Sequence, residues 1–268
     1  MQIRQIVNGR LNLAGECDVD HVLCRFAPMM TDHGHTPEEI SERLSKPFAR
    51  SYVRDFIYGG IDGAVTTFAI VAGVEGAGLS RSVIIVLGIA NILADGFSMA
   101  ASNYLGTKAE LDNVSRLREV ERRHIVKVPE GEREEVRQIL RAKGLQGTVL
   151  ERAVRAITAD ERTWIDLMLV DEYGVSPVSS VPTLAASATF FAFMLCGIVP
   201  LLPFLIGVSD PFVVTVFITG AVFFAIGTAK SNWTLAPWWR SGLETLLIGA
   251  AAAVIAYVAG RWISTVTA

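Results

Sequence analysis

The chain of 268 residues is 51% hydrophobic, with a mean hydropathy of +0.41 and a formal net charge of −3. So much apolar sequence excludes an ordinary soluble domain, and the lack of a bulk basic field excludes nucleic acid as a partner. The charges are also segregated. Between Leu105 and Val175 lie 27 of the 51 charged residues, whereas only Asp210, Lys230, Arg240, Glu244 and Arg261 follow residue 176. The pattern predicts an all-α, polytopic membrane protein with one hydrophilic insert.

Residues 1–49 read as a tail. Their start lacks the apolar core and cleavage site of a signal peptide, and Met29 or Met30 is an alternative initiator. Cys17, Cys24 and Cys196 show no C-x-x-C spacing, which argues against a disulfide framework or a zinc finger. His33 and His35 flank Gly34 in a polar run and read as solvated rather than as a metal clip. Thr36-Pro37-Glu38-Glu39 opens a short helix: Thr36 caps, Pro37 suits the first position and Glu39 completes a capping box. Ile40 and Leu44 give that helix an apolar stripe, and it ends near Lys46-Pro47.

Residues 50–105 predict two spans, about 55–77 and 83–105. Arg50 and Arg54 before the first place the N-terminus in the cytoplasm. Asp55, Tyr58 and Asp62 share one stripe of the first span, with Asp55 equally suited to the interface. Asp62 lies deeper, between Gly60 and Gly63, where an acid costs roughly 2.5–3.5 kcal/mol to insert and therefore carries a functional presumption. Glu75, near the far end, reads as a wet interfacial residue. In the second span Asn91, Asp95 and Met99 recur at i, i+4 and i+8, aligning an amide oxygen, a carboxylate and a thioether as ligands for a divalent metal. Ala90, Ala94 and Ser98 form a small-residue packing face beside them. No stop signal follows Tyr104, so this helix is expected to run on.

Residues 106–176 predict a cytosolic helical metal-binding domain. Its helices cover about 110–127, 130–143, 149–157 behind a Thr148-x-x-Glu151 box, and a fourth behind Thr158-x-x-Glu161 that ends before Gly174. Glu121 with His124, Glu132 with Glu135, and Met168 with Glu172 have same-face spacing. Each pair has a plainer reading. Arg118, Arg122 and Arg123 offer Glu121 surface ion pairs, and a helix's first turn favours Glu132 anyway. Glu172 sits where the helix dipole disfavours negative charge, a local cost that a bound cation would offset.

Residues 177–268, after Pro177 and Pro182, predict spans of about 183–206, 211–230 and 241–263, with Pro200 and Pro203 interrupting the first of them. Lys230, Trp233, Trp238, Trp239 and Arg240 make an aromatic and basic belt, and Glu244 can pair with Arg240 or Lys230. Five spans put the insert and the 230–240 connection inside and the C-terminus outside.

No Walker loop, G-x-S-x-G elbow or dinucleotide fingerprint is present, so movement of a metal would run on gradients. Aspartates at membrane depth can hold a cation or a proton in turn. Mixed carboxylate, thioether and imidazole ligands favour first-row ions such as Fe²⁺ or Mn²⁺ over Ca²⁺ or Mg²⁺.

Tyr52-Val53-Arg54-Asp55 through Asp62-Gly63-Ala64-Val65-Thr66-Thr67-Phe68, followed by Ala94-Asp95-Gly96-Phe97-Ser98-Met99, resembles the vacuolar iron transporter family, nodulin-like members included. The resemblance covers about residues 50–265. It implies five transmembrane helices, a homodimer with its pathway near the interface, and Fe²⁺/H⁺ antiport out of the cytosol, with metal as substrate and no permanent cofactor. It implies pathway roles for Asp55, Asp62 and Met99, and insert ligands at Glu121, Glu132, Glu135, Met168 and Glu172. His124 and Leu169 depart from the glutamate and second methionine expected there. Asn91 stands at a pathway position that is acidic elsewhere, with Asp95 one turn later as its substitute. The membrane would be the plasma or inner membrane in a bacterium and the vacuolar one in a eukaryote.

Two other readings compete. Glu121-x-x-His124 is half of a ferritin-like di-iron signature, so a membrane-tethered oxidase would need dimerisation to complete its site. A sensing or structural membrane protein would leave Asp62 and Asp95 without a reason to sit at depth.

Overall fold

A computed structural model describes residues 35–45, 51–175 and 180–267. His33, Arg50, Pro177, Cys17, Cys24, the alternative initiators and the Leu44 side chain lie outside the described residues. The described chain is helical: α1 (Pro37–Ser45), α2 (Val53–Gly76), α3 (Arg81–Lys127), α4 (Pro129–Ala142), α5 (Gly147–Ile157), α6 (Glu161–Asp171), α7 (Pro182–Gly197), α8 (Leu202–Ile206), α9 (Pro211–Lys230) and α10 (Trp238–Thr267). Five segments are long and apolar enough to cross a membrane: α2, α3, α7 continued through α8, α9 and α10. The break between α7 and α8 falls at a 3-10 turn, Val199–Leu201, centred on Pro200.

The central span is α2, which packs against α3, α7, α9 and α10. Close approach to α7 requires glycine at 59 and 63. A Cβ at Gly59 would overlap the Thr189 carbonyl oxygen, and one at Gly63 that of Phe193. With the two backbones in near contact, Val71, Val74, Ile84, Ile92, Leu201 and Phe204 close into one apolar core. Phe68, Ala72, Phe223 and Ala253 form another against α9 and α10.

The helix α3 has 47 residues, about 70 Å at 1.5 Å per residue, more than twice the roughly 30 Å of bilayer hydrocarbon. It therefore carries a membrane span and the first helix of the insert without a break at residue 105. Its outer half packs with α4 and α6. There Val136, Leu140, Leu150, Val154, Trp164 and Met168 form a core separate from those of the spans. Leu117, Ile165 and Leu169 form a smaller one beside it.

Helix ends follow local chemistry, with two corrections. Thr36 and Glu39 do form the reciprocal capping box, the Glu39 amide donating to Thr36 Oγ1 at 3.3 Å and the Thr36 amide to Glu39 Oε2 at 3.1 Å. Thr148, however, lies inside α5 behind Gln146, which makes no side-chain cap. Glu151 instead binds Arg137 at 2.8 Å. Nor does Thr158 cap α6. It ends α5, and Asp160 does the capping, its carboxylate accepting from the Thr163 amide at 2.8 Å. Asp160 is the stronger acceptor and stands directly before the first helical residue, so it displaces the threonine. Glu244 pairs with Lys230 at 3.3 Å, while Arg240 stacks over Trp239.

Candidate metal sites in the spans and in the insert

Two separate constellations emerge, one on α2 and α3 within the spans and one in the insert.

In the spans, α2 and α3 run antiparallel in a register that brings polar residues together level by level. The Asn91 amide donates to Thr66 Oγ1 at 3.4 Å, and the Thr66 hydroxyl donates to the Asp62 carbonyl at 2.8 Å. One turn further, the Asp62 and Asp95 carboxylates lie within electrostatic range of each other. Neither makes a hydrogen bond or ion pair among the described residues. Asn91, Asp62, Asp95 and Met99 are all half-buried. In the same register Met99 lies between the Asp62–Asp95 level and the next one.

That next level is a polar knot. Asp55 is buried, and Asn103 donates to its Oδ1 at 3.0 Å, to Thr189 Oγ1 at 2.7 Å and to the Ala185 carbonyl at 3.2 Å. Thr107 closes the group by donating to the Asn103 side-chain oxygen at 3.4 Å. Asp55 is therefore bound into the α2–α3–α7 contact rather than sitting free at an interface. From Thr66 to Asp55 the polar seam extends roughly 17 Å along α2. Sequence reasoning missed Asn103, Thr107 and Thr189. Asn103 continues the 91–95–99 spacing by one more step of four, a signal that was present in the chain.

In the insert, Glu121 of α3 is 1% exposed and Glu132 of α4 is 5% exposed. The ion-pair reading of Glu121 fails. Arg118 pairs with Asp166 at 3.0 Å, and Arg122 pairs with Glu119 and Glu161 at 3.0 and 2.9 Å. Neither arginine reaches Glu121, because α3 turns it toward α4 and α6 and turns the arginines outward. His124 Nδ1 lies 3.5 Å from Glu132 Oε1 and 3.9 Å from Glu121 Oε1. One ligand atom from each of Glu121, His124 and Glu132 falls within 4.8 Å of the others, a spacing that suits a metal ion. Tyr173 donates to Glu121 Oε1 at 2.7 Å. The Oε2 atoms of Glu121 and Glu132 have no hydrogen-bond donor among the described residues.

Two buried carboxylates facing one another are costly, and the titration of Glu132 registers that. Burial, then the like charges of Glu135 and Glu121, pushes the Glu132 carboxyl from an ordinary 4.5 up to about 7. Burial and then Glu121 and Glu135 also raise Glu172. Glu135 and Glu172 are exposed but belong to the same electrostatic cluster. Met168 is fully buried, its side chain packed with Val136, Leu140 and Trp164 in the insert's core. Leu169 fills the neighbouring core with Leu117 and Ile165. Asp171 is held by Lys143 at 2.6 Å.

The model of the VIT family matches residues 53–261. The chain belongs to that family. Vacuolar iron transporter 1 of Arabidopsis thaliana is 35% identical over 212 residues, covering 78% of this chain and 85% of the relative. The protein of the same name from Eucalyptus grandis is 35% identical over 235 residues, 84% and 94% of the two chains. That from Tulipa gesneriana is 30% identical over 231 residues, 85% and 94%. The match begins at the start of α2 and ends within α10, so it takes in the polar seam and the insert. Membership of the VIT family marks a membrane transporter rather than an enzyme, and the di-iron oxidase reading loses its ground.

Proposed function

We propose that the protein is a proton-coupled metal exporter that takes Fe²⁺, with Mn²⁺ as a second substrate, from the cytosol. The observation that carries the reading is the facing of Asp62 and Asp95 across α2 and α3 with no partner among the described residues. Two unpaired acids at bilayer depth are retained only for a cation that visits them, and protons would occupy them between visits. Met99, on the same stripe, adds a soft ligand that favours Fe²⁺ over Ca²⁺ or Mg²⁺. The relatives' names point the same way, since each is called a vacuolar iron transporter.

The insert captures metal on the cytosolic side. Glu121, His124 and Glu132 supply the first ligands, Glu135 and Glu172 reinforce the negative field, and Met168 packs behind them. The exposure of the seam supports a homodimer. Asp62, Asp95 and Met99 are only half-buried within one chain, and a second copy laid over α2 and α3 would remove them from lipid. The arginines before the first span support a cytoplasmic N-terminus.

Purified protein in liposomes loaded at pH 5.5 and diluted to pH 7.5 tests the reading directly. Fe²⁺ uptake that rises with the gradient supports it, as does weaker uptake of Mg²⁺. Uptake equal with and without the gradient would remove proton coupling from the account.

A further inference from the structure

Tyr173 is not itself one of the three candidate ligands, yet its hydroxyl reaches into their cluster. Its ring rests against Leu117, Ile165 and Leu169. Its backbone is fixed by the end of α6. The Tyr173 amide donates to the Met168 carbonyl at 3.3 Å, and the Val175 amide donates to the Leu169 carbonyl at 2.9 Å. Gly174 between them has φ +65°, the left-handed turn that glycine adopts most cheaply after a helix. The ring and the backbone are thus both held, and the hydroxyl lies on Glu121 Oε1 at 2.7 Å, with the Glu172 carboxylate also in its reach.

We propose that Tyr173 is a positioning residue for the insert's metal site, holding the Glu121 carboxylate in one orientation beside His124 and Glu132 so that it binds an ion through a single oxygen. This inference rests on the reading of Glu121, His124 and Glu132 as a metal site. The bond satisfies one carboxylate oxygen and leaves the other buried without a donor, which is the division of labour expected of a ligand oriented from outside the coordination sphere. Each carboxylate has its Oε1 on the His124 side, 3.9 Å from Nδ1 for Glu121 and 3.5 Å for Glu132, and an Oε2 without a donor among the described residues. Two single-oxygen carboxylates and one imidazole leave room for further ligands, whereas a freely rotating Glu121 could bind through both oxygens and crowd them out. A tyrosine hydroxyl, which ordinarily ionises only at about pH 10, is a donor at neutral pH.

The test uses full-length protein in detergent, with Asp62→Asn and Met99→Ala present throughout to silence the membrane site. Fe²⁺ is titrated anaerobically by calorimetry. Tyr173→Phe keeps the ring in its pocket and deletes only the hydroxyl, and the expected result is a 10–100-fold weaker insert site. In a Glu121→Gln background the same substitution should change affinity less than twofold, since the group it positions is gone. Co²⁺ loaded in place of Fe²⁺ should show visible bands of altered position and intensity in Tyr173→Phe. Unchanged affinity and unchanged Co²⁺ bands in Tyr173→Phe would overturn the inference while leaving the metal site standing. Equal weakening in both backgrounds would also overturn it, reducing Tyr173 to packing. Should Glu121→Gln and Glu132→Gln bind Fe²⁺ like the parent, the site itself fails and the inference with it. Should Tyr173→Phe not fold, the Co²⁺ spectra of the parent and Glu121→Gln decide instead: bands that do not differ overturn it.

Discussion

Replacing Glu132 by Gln separates the insert's stability from its metal binding. The folded insert holds the Glu132 carboxyl at about 7 against an ordinary 4.5. A carboxyl raised in this way favours the folded state when protonated, so the sign runs opposite to that of a salt-bridged acid. Without metal, stability is highest below pH 4.5, falls as pH climbs from there toward 7, and is flat above it. The full difference is roughly 3 kcal/mol from this group alone. Glutamine imitates the protonated form at every pH. The metal-free variant should therefore be more stable than the parent at pH 8 by an amount of that order, and indistinguishable from it near pH 4. It should also fail to gain stability when Fe²⁺ is added, because the charged ligand is gone. Hydrogen exchange of α4 amides in full-length protein, corrected for the intrinsic pH dependence of exchange, reads the local opening free energy. A parent and variant with the same pH dependence would refute the claim that Glu132 is a strained, cation-seeking acid.

Further predictions rest on other parts of the structure. Metal capture by the parent insert should weaken as pH falls from 8 to 6, since protons compete at a carboxyl near 7 and at Glu172, which is raised by the same burial and neighbours; Fe²⁺ titration at three pH values checks it, and a flat profile would contradict it. Asn103→Leu leaves the buried Asp55 carboxylate and Thr189 hydroxyl without their shared donor. That should cost about 1–3 kcal/mol, visible as a lower unfolding temperature in detergent. Gly63→Ala drives a Cβ into the Phe193 backbone and should part α2 from α7 at a cost of about 1–3 kcal/mol, with transport lost alongside stability. An unchanged melting profile for that variant would mean that the two helices are not as close as described.

Much of the architecture was legible because membrane helices announce themselves by length and hydropathy, and prolines and glycines mark their ends. The five spans came out within a few residues, and the missing stop after Tyr104 anticipated the continuous α3. The capping boxes at Thr148 and Thr158 misled because the spacing of a threonine and a glutamate is common by chance, while Asp160 beside the helix start is a better acceptor. Same-face spacing along one helix picked out Glu121, His124 and Glu132, whose ligand atoms lie together in the structure. It could not find partners contributed by other helices, such as Asn103 with Asp55 and Thr189, or Tyr173 with Glu121. Those depend on how α3, α6 and α7 meet, which no single stretch of sequence encodes. The flanking arginines of Glu121 suggested a surface ion pair until the rotation of α3 was known.

The claim on which the rest depends is that the facing acids of α2 and α3 carry the metal. Fe²⁺ uptake into liposomes by the parent, Asp62→Asn, Asp95→Asn and Glu132→Gln, at equal reconstituted amounts under one imposed pH gradient, tests it most directly. The account predicts uptake lost in the first two variants and retained, with weaker apparent affinity, in Glu132→Gln. Parent-like uptake by Asp62→Asn would contradict it.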